Sequence, residues 1–169
     1  MKKADIGVGR FYTDGKNGLR QVIAEGAQYK LYDAVADCDC LRYRSITSSG
    51  GVAPGNESNS TRVAFAAWAK SEVAADQTSR WLLTQQARSI ERKLTASQRG
   101  FLSLFDDDLS TTSSVSCERQ EFRLAKVCRD KGLIAALPEG LSSGVDNFDV
   151  EFSELGIAVI QQVHAIRVK

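Results

Sequence analysis

Arg119, Arg123, Lys126 and Arg129 recur every three or four residues through the stretch CERQEFRLAKVCRDKGLI. At 100° per residue, this spacing spreads the four cations and Phe122 over one side of a helix expected from Ser116 to Lys131. Cys117, Glu121, Leu124, Val127 and Cys128 gather on the other side. Guanidinium groups displayed in this way can hydrogen-bond phosphate oxygens, or grip a base edge through paired donors. The same cations make an ordinary solvated face if Glu118, Glu121 and Asp130 balance them, because exposed ion pairs hold little energy. Both readings stay open at this point.

Other chemistries find less material. Cys38, Cys40, Cys117 and Cys128 have none of the usual zinc-ligand spacings, so no metal site is expected, and the thiols read as reduced. His164 is the one histidine and lies in the apolar run IAVIQQVHAIRV, which favours a packed helical residue over a catalytic base. The glycines of GVGR and SSGGVAPG lack the lysine and helix that complete a phosphate loop. Asp106, Asp107 and Asp108 are consecutive, so on a helix they point in different directions and cannot converge on an ion. The chain is therefore expected to be non-enzymatic and without a cofactor.

A chain of 169 residues with 43% apolar and 25% charged residues can build a core and lacks the composition of disorder. Neither a secretory signal nor a run of about 20 apolar residues is visible, so a cytoplasmic location is expected. The formal net charge is +1, unevenly spread. Residues 1–68 carry 9 Lys or Arg against 7 acids, residues 69–93 carry 5 against 3, and residues 94–169 carry 8 against 11. The last segment, net −3, holds the candidate cations and lacks the overall basic footprint typical of nucleic-acid binding.

The elements that must position these residues read as an α+β chain. Residues 1–68 suggest a small β-rich domain, a curved sheet or SH3-like barrel, with strands at GRFYT, LRQVIA, QYKLYDAV and CLRYRSIT. A hairpin turn is expected at Asp14-Gly15. TSSGGVAPGNESNST, residues 47–61, has loop composition, and RVAFAAWAKSEV reads as a short closing helix with Phe65 and Trp68 against the sheet. Residues 69–93 read as a helical connector and residues 94–169 as a second domain. There Thr95 and Gln98 form a capping box, and Gly132 ends the cation-bearing helix in a left-handed cap. PEGLSSGVDN makes a hairpin tip, FDVEF a strand, and Ser153 caps a final helix.

The order helix, connector, helix ending in Lys131-Gly132-Leu133-Ile134, hairpin, then Phe152-Ser153-Glu154-Leu155-Gly156 resembles the winged-helix domain of the multiple-antibiotic-resistance-regulator branch. That branch also opens a helix with a pair like Leu94-Thr95. The likeness covers residues 94–165, with a polar connector between Phe105 and Cys117 in place of the usual short second helix. The first domain resembles small β-rich accessory proteins of phages and prophages through Val8-Gly9-Arg10-Phe11-Tyr12 and Phe65-Ala66-Ala67-Trp68-Ala69.

These resemblances imply a regulatory protein whose helix from Ser116 to Lys131 enters the major groove of double-stranded DNA. Arg119, Arg123, Lys126 and Arg129 would touch bases or phosphates, and a homodimer is one arrangement that reads symmetric sites. The wing, residues 138–147, offers no Lys or Arg. The alternative is an inhibitor or adaptor that binds a host or defence protein. Its contacts would be an outward Phe122 and an acidic patch of Asp106, Asp107, Asp108, Asp149 and Glu151, with Asp146 and Glu154 beside them.

Overall fold

Asp14 organises the first turn: its Oδ1 accepts the backbone N–H groups of Lys16 and Gly18 at 2.8 and 2.9 Å, and Gly15 takes φ 76°. The turn joins β1 (Phe11–Thr13) to β2 (Leu19–Glu25), antiparallel with Tyr12 opposite Arg20. The structure, a computed structural model, describes residues 1–32, 36, 38–48, 52–111 and 114–167. It divides into two compact units, Met1–Trp81 and Leu82–Lys169, each α+β with its own antiparallel sheet. No helix among the described residues is long and apolar enough to cross a membrane.

The first unit's sheet has five strands in the order β4-β3-β2-β1-β5, adding β3 (Cys40–Ser45), β4 (Glu57–Thr61) and β5 (Ser71–Val73). It is open rather than a closed barrel, since β4 and β5 are its two edges. In β3 the period-two pattern is plain: Leu41, Tyr43 and Ser45 are buried while Arg42 and Arg44 face water. The core comprises Ile6, Tyr12, Val22, Leu41, Tyr43, Phe65, Ala66 and Ala69. Phe65, on α1 (Arg62–Trp68), meets the rings of Tyr12, Tyr43 and Trp68 at 5.6, 5.4 and 5.4 Å. The Arg20 guanidinium carbon lies over two rings, 4.0 Å from the centroid of Trp68 and 4.5 Å from that of Tyr43.

Arg62 ties four distant segments together. Its guanidinium donates to Asp39 Oδ1 at 2.7 Å, to Glu25 Oε2 at 2.5 Å and to the carbonyl of Ile6 at 2.5 Å.

Three expectations for this unit need correction. QYKLYDAV is not a strand over its described residues: Ala27–Tyr29 form a 3₁₀ turn, and Leu31 and Tyr32 are exposed, while Asp33, Ala34 and Val35 lie outside the described residues. The loop at 47–61 yields β4 at its end, where Glu57 binds Arg42 and Arg44 of β3 at 3.1 and 2.7 Å. RVAFAAWAKSEV is helix only to Trp68, after which Ser71–Val73 pair with β1.

The boundary between the units falls within α2 (Thr78–Glu91), whose Ala87 is in the second unit's core with Leu83 and Ile90 beside it. Buried Glu91 is satisfied by Arg99 at 2.8 Å, and Arg99 sits on α3 (Ala96–Leu102). The Thr95–Gln98 capping box that starts α3 is present as expected. β6 (Ser114–Glu118), a 3₁₀ turn at Arg119–Glu121, α4 (Phe122–Asp130), β7 (Ile134–Ala136), β8 (Asn147–Phe152) and α5 (Glu154–Arg167) complete the unit, with strand order β6-β8-β7. The helix expected from Ser116 therefore starts later. Val115 and Cys117 turn inward with period two, and the Glu118–Glu121 capping box starts the helical turn at Arg119.

One knot closes this unit. Gly132, at φ 75°, ends α4's turn, and its carbonyl accepts the Ser153 hydroxyl at 2.7 Å. The Leu133 carbonyl accepts the Ser153 N–H at 3.0 Å, and Ser153 Oγ caps α5 by accepting the Gly156 N–H at 3.0 Å. Gly156 lies so close to Leu133 that a side-chain methyl would collide with its carbonyl oxygen. Gly156→Ala is thus expected to destabilise the second unit by about 2 kcal/mol through overpacking, and Ser153→Ala by about 1 kcal/mol through loss of the cap. Chemical denaturation followed by far-UV circular dichroism measures both; equal stability of Gly156→Ala and the parent would contradict the close approach.

Candidate nucleic-acid interface

α4 is amphipathic. Ala125 and Cys128 are fully buried, Leu124 lies against the core, Val127 is half-buried, and Arg123, Arg129, Asp130 and Lys131 are exposed. Lys126 is half-buried with its Nζ 4.7 Å from the Phe122 ring centroid, an ammonium resting on an aromatic face. Arg129 reaches Asp130 at 3.5 Å. Among the described residues, Arg123, Lys126 and Lys131 have no carboxylate within ion-pair distance. Arg123, Lys126 and Arg129 lie within about 120° of one another around α4, and exposed Lys131, a cation the candidate set omitted, follows at the C-cap on a different bearing.

Arg119 does not join them. It precedes α4, and its Nη1 donates to the carbonyls of Ser142 and Val145 at 2.9 and 2.8 Å, while its N–H donates to the Asp146 carbonyl at 2.7 Å. Its charge pins the loop between β7 and β8, where Gly144 takes φ 82°. The sequence pattern missed this because a helical projection sees spacing and not a partner about 25 residues away. Phe122 also departs from expectation: it is half-buried and packs edge-to-face on Phe148 at 5.1 Å, so it is core-facing rather than an outward anchor.

The acidic residues occupy different surfaces. β8 alternates strictly, with Phe148, Val150 and Phe152 buried and Asn147, Asp149 and Glu151 exposed. Register places Ser114 opposite Glu151, Ser116 opposite Asp149 and Glu118 opposite Asn147, so the outer face of these two strands carries three acids and no cation. Asp106, Asp107 and Asp108 are exposed beyond α3, on the helical side. There Gln161 of α5 donates to the Asp107 carbonyl at 3.2 Å and His164 Nε2 donates to the Phe105 carbonyl at 2.8 Å. Asp146 lies with Glu118, Arg119, Gln120 and Asn147 around an open cleft of about 650 Å³. Glu154 is exposed in the first turn of α5.

Burial holds the Cys117 and Cys128 thiols in their protonated form. Burial pushes Cys117 up to about 12, with Glu121 and Asp149 adding to the shift. Burial likewise pushes Cys128 up to about 11, slightly offset by Lys131. No group of three metal-ligating side chains converges among the described residues. No protein-family model, curated protein or solved structure matches the chain.

Two outcomes follow from this geometry. Arg119→Ala should speed amide exchange in residues 142–146 about tenfold, since two charge-assisted bonds are lost, with little change in global stability; unchanged exchange would remove Arg119 from its pinning role. For the thiols, the folded values lie above the unfolded one, so their contribution to stability is complete below about pH 8.5. It is lost as the pH rises through about 11 and then about 12. A thiol reagent at pH 8 should accordingly label exposed Cys38 in the native protein and all four cysteines after unfolding.

Proposed function

We propose that the second unit binds duplex nucleic acid as a winged-helix-type regulatory module of a non-enzymatic, phage- or prophage-type accessory protein acting in the cytoplasm. The observation that carries this reading is the set of cations on α4, where Arg123, Lys126 and Arg129 lie within about 120° of one another, with Asp130 among them and Lys131 exposed just past the helix. The order of elements supports it: after α3, a cation-bearing helix is followed by a hairpin and a final helix, as in the pieces the resemblance compared, and the hairpin pairs with β6 in the order β6-β8-β7. A wing without Lys or Arg leaves α4 to make the phosphate contacts, so affinity should be modest and largely independent of sequence.

A second reading has its own observation. The acidic outer face formed by Glu118, Asp149 and Glu151 suits a basic protein partner, as an inhibitor or adaptor would require.

Fluorescence anisotropy with a random 20-base-pair duplex tests the first reading. If all four cations contact phosphates, log K should fall with log salt at a slope of about −3 to −4. Arg123→Ala and Lys126→Ala should each reduce that slope by about 1, whereas Arg119→Ala should leave it unchanged. No binding at about 50 mM salt would end the nucleic-acid reading.

A further inference from the structure

β6 is an edge strand with an exposed side. Its register with β8 continues into the Arg119 N–H bond to Asp146, so by the alternation of antiparallel pairing Val115 and Cys117 exchange bonds with β8. Ser114, Ser116 and Glu118 then direct their N–H and C=O groups away from the sheet. The Glu118 N–H shows this direction, being taken by Glu121 Oε2 at 2.9 Å. Among the described residues, nothing pairs with the N–H and C=O of Ser114 and Ser116. β7, the opposite edge, is three residues long and irregular in register. β6 runs for five residues without a bulge, proline or lysine, the usual devices that blunt an edge.

A groove of about 440 Å³ beside this edge is lined by Leu104, Phe105, Val115 and Ser116 together with Glu118, Gln120 and Glu121. Leu104 is 65% exposed, which is unusual for a leucine beside an open strand. Apolar side chains therefore lie below the edge. Acids lie at its end and, as Asp149 and Glu151, across the outer face.

We propose that β6 accepts an extended basic segment of a partner protein as a fourth strand. The segment's main chain would bond to Ser114 and Ser116. Its apolar side chains would face Leu104 and Val115, and its alternate Lys or Arg side chains would meet Glu118, Asp149 and Glu151. The proposal rests on the basic-partner reading of this acidic face; the surface is distinct from the cations of α4, so its test and that of duplex binding fail separately.

The probe is a fluorescein-labelled nine-residue peptide alternating lysine and valine, compared with one alternating glutamate and valine, titrated against the full chain at about 0.15 M salt. The Lys–Val peptide should bind at least about tenfold more tightly than the Glu–Val peptide. Ser116→Pro removes an N–H that faces away from β8, a position where an edge strand tolerates proline, and should weaken binding about tenfold with duplex binding unchanged. Leu104→Asp alters an exposed side chain outside the ladder and should weaken binding similarly, which keeps the test valid if the proline variant is unstable. Equal affinity for the two peptides, or binding indifferent to both variants, would overturn the proposal. So would a self-association in sedimentation that Ser116→Pro abolishes, since a second copy would then occupy the edge.

Discussion

The second unit depends on two backbone carbonyls, those of Gly132 and Leu133, meeting Ser153 and the first turn of α5. α4 must end within one residue for β7 to enter the sheet, and the left-handed turn at Gly132 does this without the penalty a side chain would impose. The buried Leu133 carbonyl needs a donor where α5 packs on it, and the exposed Gly132 carbonyl takes the Ser153 hydroxyl. Ser153 supplies both its N–H and its hydroxyl, and uses the same oxygen to cap the helix it begins. Gly156 lets that helix settle directly on Leu133. The angle at which α4 is presented is therefore fixed from its C-terminal end by this knot and from its N-terminal end by Arg119 and the Glu118–Glu121 box.

Charge in this unit is sorted by secondary structure. The cations that could meet a polyanion are on α4, while the strands carry acids on their solvent side. The near-neutral total hides two surfaces of opposite sign. A net charge speaks to solubility and non-specific association, so the total alone says little about either surface. Arg119 is the exception that clarifies the division: a cation in the right sequence interval, spent on loop carbonyls rather than displayed to a ligand.

Much of the local punctuation was legible in the sequence. Thr95 with Gln98, Gly132, Ser153 and the Asp14-Gly15 turn all act through short-range geometry, and all sit where their residue types require. β6 was misread because Cys117 points inward under either a helical or an extended projection, so burial alone could not separate the periods. β4 was misread because Glu-Ser-Asn-Ser-Thr has no apolar face; its strand conformation comes from pairing with β3 and from Glu57 between two arginines. At the candidate site, Arg123, Lys126 and Arg129 could be placed from helical spacing, but the fate of Arg119 and the inward packing of Phe122 were set by tertiary partners in the β7–β8 hairpin.

The guanidinium of Arg62 has a consequence for how the first unit comes together in time. Its partners lie 56, 37 and 23 residues earlier in the chain, so the junction exists only after three long loops have closed, each against chain entropy. Contacts of such range slow the approach to the native state. Nascent chain released before α1 emerges would expose the three waiting acceptors, and the first sheet is complete only when β5, which follows α1, pairs with β1.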